Sequence, residues 1–239
     1  MIKEAIEHIL QLADGSVFAD KHGRVYSTGN VESLPSPESV PPTFEVSTLD
    51  GLVGYLAGEI DAQGHQVDAV QVTGPETVLA VTSVMGPFAQ RFALATACPF
   101  LPKREFLYDQ YMKLEDFITG INAHFVQDES TKTILEIVGN IVDEEEIITE
   151  DDGFSQSVVA RAGIAGRQRL SVPNPIMLRP YRTFPEIEQP QSPFVVRVSK
   201  SSSGPSAALF SAGDAGWKVA AVESIKKYLT DAQDIQVIG

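Results

Sequence analysis

Apolar residues recurring at a period near 3.6 mark five segments of this chain as amphipathic helices. The first puts Ile2, Ile6, Ile9, Leu10 and Ala13 on one face and stops at Asp14-Gly15. The second carries Leu49, Leu52, Val53, Leu56 and Ile60 behind Ser47-Thr48-Leu49-Asp50. That tetrapeptide has the form of a capping box, in which hydroxyl and carboxylate satisfy each other's exposed amides. A third helix is expected over Leu107 to Phe125, with Leu114, Phe117, Ile118, Ile121 and Phe125 inward. A fourth follows a cap at Ser130 or Thr131 and buries Ile134, Ile137, Val138, Ile141 and Val142. The last starts at an Asp214 cap and turns Trp217, Ala221, Val222, Ile225 and Leu229 inward.

Shorter apolar runs bounded by turn residues read as strands. Val17 to Tyr26 predicts a hairpin around Lys21-His22-Gly23. Val67 to Thr73, Thr77 to Val84 and Gln90 to Ala97 predict a three-stranded meander, with apolar residues on both faces and turns at Gly74-Pro75-Glu76 and Gly86-Pro87-Phe88. Ile147 to Glu150 and Phe154 to Ala162 flank Asp151-Asp152-Gly153, a hairpin signal because Asp-Gly accepts positive φ. Gly163 and Gly166 interrupt the return strand, and Pro173-Asn174-Pro175 forces a corner. Ile176 to Thr183 resumes as a strand, with Pro180 marking an edge. Phe194–Ser199 and Ala207–Ser211 pair across a flexible turn at Lys200 to Ser206, and Ile235 to Ile238 is a short terminal strand.

These elements make an α+β fold, a mixed and mainly antiparallel sheet with about five packed helices. The expected organisation is one domain over residues 1–239. Pro35, Pro37, Pro41 and Pro42 make residues 35–43 an extended connector, across which residues 1–34 form an N-terminal subdomain or a loop-linked part of the same domain. No internal repeat is visible.

Charge changes this picture most. The chain carries a formal net charge of −14, so non-specific duplex DNA and anionic membranes are disfavoured partners. Yet Val158 to Arg182 holds Arg161, Arg167, Arg169, Arg179 and Arg182 and no acid, directly after an acidic run from Asp143 to Asp152. No apolar run approaches the roughly 18 to 20 residues that span a bilayer. Glu4 and Glu7 behind Lys3 argue against a secretory signal peptide. The lone Cys98 forms no internal disulfide, which fits a reducing cytoplasm.

Catalytic signatures are lacking. There is no Gly-x-Ser-x-Gly elbow, and Cys98 at an apolar strand end reads as a small core residue. His8, His22, His65 and His124 have no zinc spacing, and the acidic run lacks the ligand alternation of a calcium loop. Gly51, Gly54 and Gly58 lie inside a helical pattern with no Lys-Ser or Lys-Thr behind them, so they permit close packing rather than cradle phosphate. The arginines are more informative, since guanidinium forks match phosphate and carboxylate oxygens. Arg161, Arg167, Arg169, Arg179 and Arg182, with Tyr181 as a stacking face, form the candidate ligand-binding set. The competing reading pairs these arginines with the acids just upstream, within the chain or across a subunit boundary, and the charge pattern favours it somewhat.

Three features resemble a phage and prophage family of unknown function, the one that includes the YfdQ protein. They are the meander TVLAVTSVMGPFAQRFALATACPF followed by LYDQYMKLEDFITGIN, the strand VPNPIMLRPYRTF, and the ending PFVVRVSKSSSGPSAALFSA with the helix bearing Trp217. The likeness is one of element order and covers roughly residues 45–230. It implies a phage or prophage origin and expression inside a bacterial host, and transfers no active-site residue.

The leading expectation is a non-enzymatic accessory protein in the host cytoplasm, a homo-oligomeric binding module that sequesters a small nucleotide-like anion as a counter-defence. No cofactor is expected. Two alternatives stay open: an acidic protein-interaction factor in phage recombination or replication, or an inhibitor of a host DNA-binding enzyme, acting through residues 143–152; and a metal-dependent hydrolase built from distant carboxylates.

Overall fold

The computed structural model describes residues 17–19, 25–27, 40–60, 65–85, 89–102, 105–139, 150–151, 156–162, 166–201, 204–213 and 215–239. For 17–19, 25–27, 150–151, 156–162, 166–172 and 200–201 the description is of the backbone. The expected first helix, the turns at 21–23 and 152–153, most of the proline connector and the acids from Asp143 to Glu146 lie outside these residues.

Four helices and fourteen strands occur among the described residues, an α+β architecture with mixed and antiparallel sheets. The opening hairpin is formed by β1 (Val17–Ala19) and β2 (Val25–Ser27), with Phe18 opposite Tyr26. A five-stranded sheet follows, built on the antiparallel meander of β4 (Ala69–Gly74), β5 (Thr77–Val81) and β6 (Ala93–Ala97). Strand β3 (Phe44–Val46) flanks β6 in parallel, and the terminal β14 (Val237–Ile238) flanks β4 in parallel. Register aligns Val70 with Ala80 and Ala95, and Val72 with Val78 and Ala97. All six are buried, together with Leu49 and Leu52 of α1 (Leu49–Ala57) and Ile225 and Leu229 of α4 (Gly216–Ala232). The meander is therefore less symmetric than its apolar sequence suggests. Gln71 and Thr73 are exposed and Leu79 and Thr96 half-buried, because the two helices cover one face.

A second core lies under the four-stranded sheet β11-β12-β13-β7. Its strands are β11 (Ile176–Leu178), β12 (Ser192–Ser201), β13 (Gly204–Ser211) and β7 (Met112–Lys113). Helices α2 (Leu114–His124) and α3 (Glu129–Gly139) supply Phe117, Ile121, Ile134, Ile137 and Val138, which pack with Phe125, Leu178, Phe194, Val196 and Leu209. Burying each such side chain stabilises the fold by about 1.5–3 kcal/mol. A separate three-stranded sheet joins β8 (Glu150–Asp151), β9 (Gln156–Ala162) and β10 (Gly166–Val172).

Local corrections have local causes. Thr48, in extended conformation, is the cap of α1, and its Oγ1 accepts from the Gly51 amide at 2.9 Å. The box frame is thus one residue later than expected and puts a glycine where the reciprocal carboxylate should stand. Asp50 instead accepts a hydrogen bond from the Tyr228 hydroxyl. The third helix begins at Leu114 rather than Leu107, because Asp109 takes φ 60° and residues 112–113 pair with β13. Helix α3 is capped by Asp128, whose Oδ1 accepts from the Ser130 and Thr131 amides at 2.9 and 3.1 Å, while Thr131 Oγ1 accepts from the Asp128 amide. The N-cap of α4 is Ala215, with no side-chain cap, and Asp214 lies outside the described residues. Cys98 is exposed, just past the end of β6, and so is not a core residue. The supposed turn at Lys200 to Ser206 is shorter, since β12 and β13 stay paired to Ser201 and Gly204.

Candidate ligand site at the junction of the two cores

The arginine stretch spans from one core to the other. Leu178 is buried in the second core, whereas Phe184 and Ile187 are buried in the first. Arg179, Pro180, Tyr181, Arg182 and Thr183 are the residues that cross. Strand β11 stops at Leu178 because the backbone finds other partners: the Arg179 carbonyl accepts from the Val126 amide at 2.9 Å, and the Tyr181 amide donates to the His124 carbonyl at 2.8 Å. Asn174, before its cis bond to Pro175, anchors the upstream corner by accepting from the Val196 amide and donating to the Val196 carbonyl. The expected strand to Thr183 is thus a three-residue strand followed by a pinned crossing.

Two further crossings meet it. Ala97 is buried in the first core and Phe106 in the second, so residues 98–105 run between them. Residues 212–215 lead from β13 to α4, whose first turn holds Trp217. Where the three connections converge lies a cavity of about 450 Å³. Leu101, Pro102 and Glu105 line it from the first crossing, Pro180, Tyr181 and Arg182 from the second, and Ser211 and Trp217 from the third. Phe106, Tyr108, His124 and Phe194 complete much of the wall. A junction between packed layers, walled by aromatics with a few polar groups, is where small-molecule sites commonly form.

Arg182 is the central polar group. Its Nη2 donates to the Pro190 carbonyl at 3.1 Å and to Ser192 Oγ at 2.5 Å, and its guanidinium lies 3.9 Å from the centroid of the Trp217 ring. Nε is buried without a hydrogen-bond partner among the described residues. Among the described residues no carboxylate forms an ion pair with it. Burial lowers its pKa to about 10, against the opposing effect of Tyr108, and burial raises the Tyr108 phenol to about 12, against the effect of Arg182. At neutral pH the site therefore holds a charged guanidinium beside a neutral phenol.

Arg179 is differently placed. Its Nη1 bonds Glu188 Oε1 at 2.8 Å and its Nε lies 3.5 Å from Asp128 Oδ2, the same carboxylate that caps α3. It is paired with acids, as the competing reading expected, but these are not the acids of 143–152. It lines a second cavity of about 570 Å³, with Phe100, Leu101, Pro102, Tyr181 and Glu188. Tyr181, Leu101 and Pro102 border both cavities, so the half-exposed Tyr181 ring stands between them.

The remaining candidates are on the three-stranded sheet. Register sets Arg167 opposite Arg161 and Arg169 opposite Val159, on strands β9 and β10. The structure thus groups Arg179, Tyr181 and Arg182 at the crossing and Arg161, Arg167 and Arg169 on a separate sheet. A larger cavity, of about 640 Å³, lies between the C-terminal ends of α1 and α4, but its described lining has no arginine or lysine and includes Glu59 and Asp234. Anion chemistry favours the junction.

No protein-family model, curated protein or solved structure matches this chain. The site therefore stands on its own geometry. Trp217, Tyr108 and His124 were not among the sequence candidates. Trp217 offered a usable signal, being the only tryptophan in the chain, at a helix start rather than mid-helix.

Proposed function

We propose that this chain is a non-enzymatic binding module that holds a small nucleotide-like anion in the junction cavity. The observation that carries the reading is Arg182: a half-buried cation with no carboxylate partner among the described residues, lining an aromatic-walled cavity. A buried charge is costly unless compensated. A phosphate oxygen at the unbonded edge of the guanidinium supplies that compensation, and Tyr181, Tyr108 and Phe106 offer surfaces for a planar base. The cavity volume falls in the roughly 300–1,000 Å³ range of small-ligand sites.

In this proposal the protein is a phage or prophage accessory factor of the bacterial cytoplasm, acting as a homo-oligomer that sequesters a host signal. The element-order resemblance noted above supports the phage part, and the arginine crossing supports the ligand part. No helix of the described residues is long and apolar enough to cross a membrane.

Isothermal titration against a panel of cyclic and linear nucleotides tests the reading, with Trp217 emission as a second signal. The wild type should give heat and an emission change with at least one compound. Arg182→Lys, which keeps the charge but loses the planar fork, should weaken that response. Silence of the wild type across the panel would overturn the proposal.

A further inference from the structure

The two cavities beside Tyr181 suit the two halves of one ligand, an inference that rests on the anion-binding reading above. The crossing that separates them is held by a β-bridge between Phe125 and Pro180, flanked by the backbone bonds from Val126 to Arg179 and from Tyr181 to His124. Successive side chains of an extended segment point to opposite sides. Arg179 and Thr183 accordingly line the Arg179 cavity, Pro180 and Arg182 line the junction cavity, and Tyr181 borders both. The paired segment divides in the same way, with Val126 on the first side and His124 on the second. This partition is pinned from below as well. The Arg182 amide donates to Oε1 of the buried Gln189 at 3.1 Å, and Gln189 Nε2 donates to the Phe184 carbonyl at 3.0 Å.

The compartments differ in chemistry. Arg182 brings a guanidinium to the junction cavity, whereas Arg179 is already met by Glu188 and Asp128, and much of its cavity wall is apolar: Phe100, Pro102, Pro185 and Ile187. Phe100 is 87% exposed, so a ring laid between it and Tyr181 removes apolar surface from water. We infer that the site takes a dinucleotide, with a phosphodiester at Arg182, one base in the junction cavity and the second base across Tyr181 against Phe100. Linking the two rings makes the second contact intramolecular, so it adds affinity without the cost of a second association. One base stacked on an aromatic side chain is worth about tenfold in affinity.

Cyclic mononucleotides and dinucleoside monophosphates each carry one phosphodiester charge and differ in having one base or two. Titration of both against the full chain, for each of the RNA bases, is read by calorimetry and Trp217 emission. For at least one base the dinucleoside monophosphate should bind about tenfold or more tightly than the cyclic compound, with one ligand per chain. Phe100→Ala, an exposed position whose truncation leaves both cores intact, should weaken the dinucleoside monophosphate about tenfold, toward the cyclic compound. Equal affinities for every base, or a Phe100→Ala protein that binds the dinucleoside as tightly as the wild type, would overturn this inference and leave the anion-site reading standing. Silence of these compounds with a response elsewhere in the nucleotide panel would do the same. Silence throughout would overturn both.

Discussion

Arg182 and Trp217 form a contact between two chain crossings, the guanidinium carbon 3.9 Å from the centre of the indole ring. One residue lies on the passage between the cores and the other in the first turn of α4. The same guanidinium holds the start of β12 through Ser192 Oγ. A single side chain therefore ties the helix of the first core to the sheet of the second, at the wall of a cavity.

Replacing Arg182 with Met should expose how much that tie contributes. A partly desolvated cation–π contact is worth about 0.5–2 kcal/mol. Losing the donor to the Pro190 carbonyl costs about 1–3 kcal/mol where the oxygen stays dry. Relief of the guanidinium's desolvation offsets part of this, so a net loss of about 1–2 kcal/mol is expected. Urea unfolding followed at 222 nm measures it, and the near-ultraviolet circular dichroism of Trp217 should change with little loss of helix signal. A more stable variant with an unaltered Trp217 signal would show that the contact does not order the junction.

Alkaline pH should act on the same pair with opposite signs. Burial raises Tyr108 to about 12, so the folded state keeps its proton where an unfolded tyrosine loses it. Stability from this group is present below pH 10 and is lost as pH rises through about 12. Tyr228, raised to about 12 chiefly by its hydrogen bond to Asp50, acts in the same direction. Arg182, lowered to about 10 by burial, disfavours the fold while protonated in both states, and that penalty fades as pH rises above about 10. Between pH 10 and 12 the Tyr108→Phe variant should lose stability less steeply than wild type, and Arg182→Met more steeply. Thermal melts across this range check both slopes.

The sequence pattern was most readable where one element satisfied its own backbone and its own apolar face. The meander at β4–β6, the β12–β13 hairpin and the faces of α2, α3 and α4 all follow from alternation or helical period. Long-range partners were not readable. Residues 107–113 belonged to the expected helix, yet residues 112–113 pair with β13, and this depends on where the hairpin lies in space. The arginine cluster was visible as composition, but its division was not. Arg179 and Arg182 are three residues apart, and one meets Asp128 and Glu188 while the other meets Trp217. Only the crossing between two cores separates their environments.

Glu186 gives a further test of such a long-range partner. Its Oε1 accepts from the Leu49 amide at 2.8 Å and the Asp50 amide at 3.4 Å, so a carboxylate from a distant segment satisfies amides of the first turn of α1. Thr48 serves the Gly51 amide, a different donor. Glu186→Ala and Thr48→Ala should therefore each cost about 0.5–2 kcal/mol, with nearly additive losses in the double variant. Denaturant midpoints of the three variants decide it. Loss in the double variant no greater than in either single one would mean that the two caps act only together, as one unit.

Gly120 has no side chain because the Phe106 ring occupies its space. A Cβ there would lie 2.8 Å from Cε2 and 3.0 Å from Cδ2 of that ring. The ring has little freedom to withdraw, with Phe125, Tyr108 and Phe117 centred 5.2, 5.1 and 6.0 Å away. Alanine in a helix interior gains about 1 kcal/mol over glycine, whereas overpacking a filled core costs about 1–3 kcal/mol. Gly120→Ala should then destabilise the protein by about 1 kcal/mol, and Phe106→Leu in the same chain should recover part of the helix gain. Phe106 and His124 also line the junction cavity, so the single variant should weaken nucleotide binding as it strains the wall. Equilibrium unfolding with unchanged denaturant dependence, together with the Trp217 titration, separates the two effects. A stabilised Gly120→Ala protein with full binding would show that the Phe106 ring yields and does not fix the shape of the site.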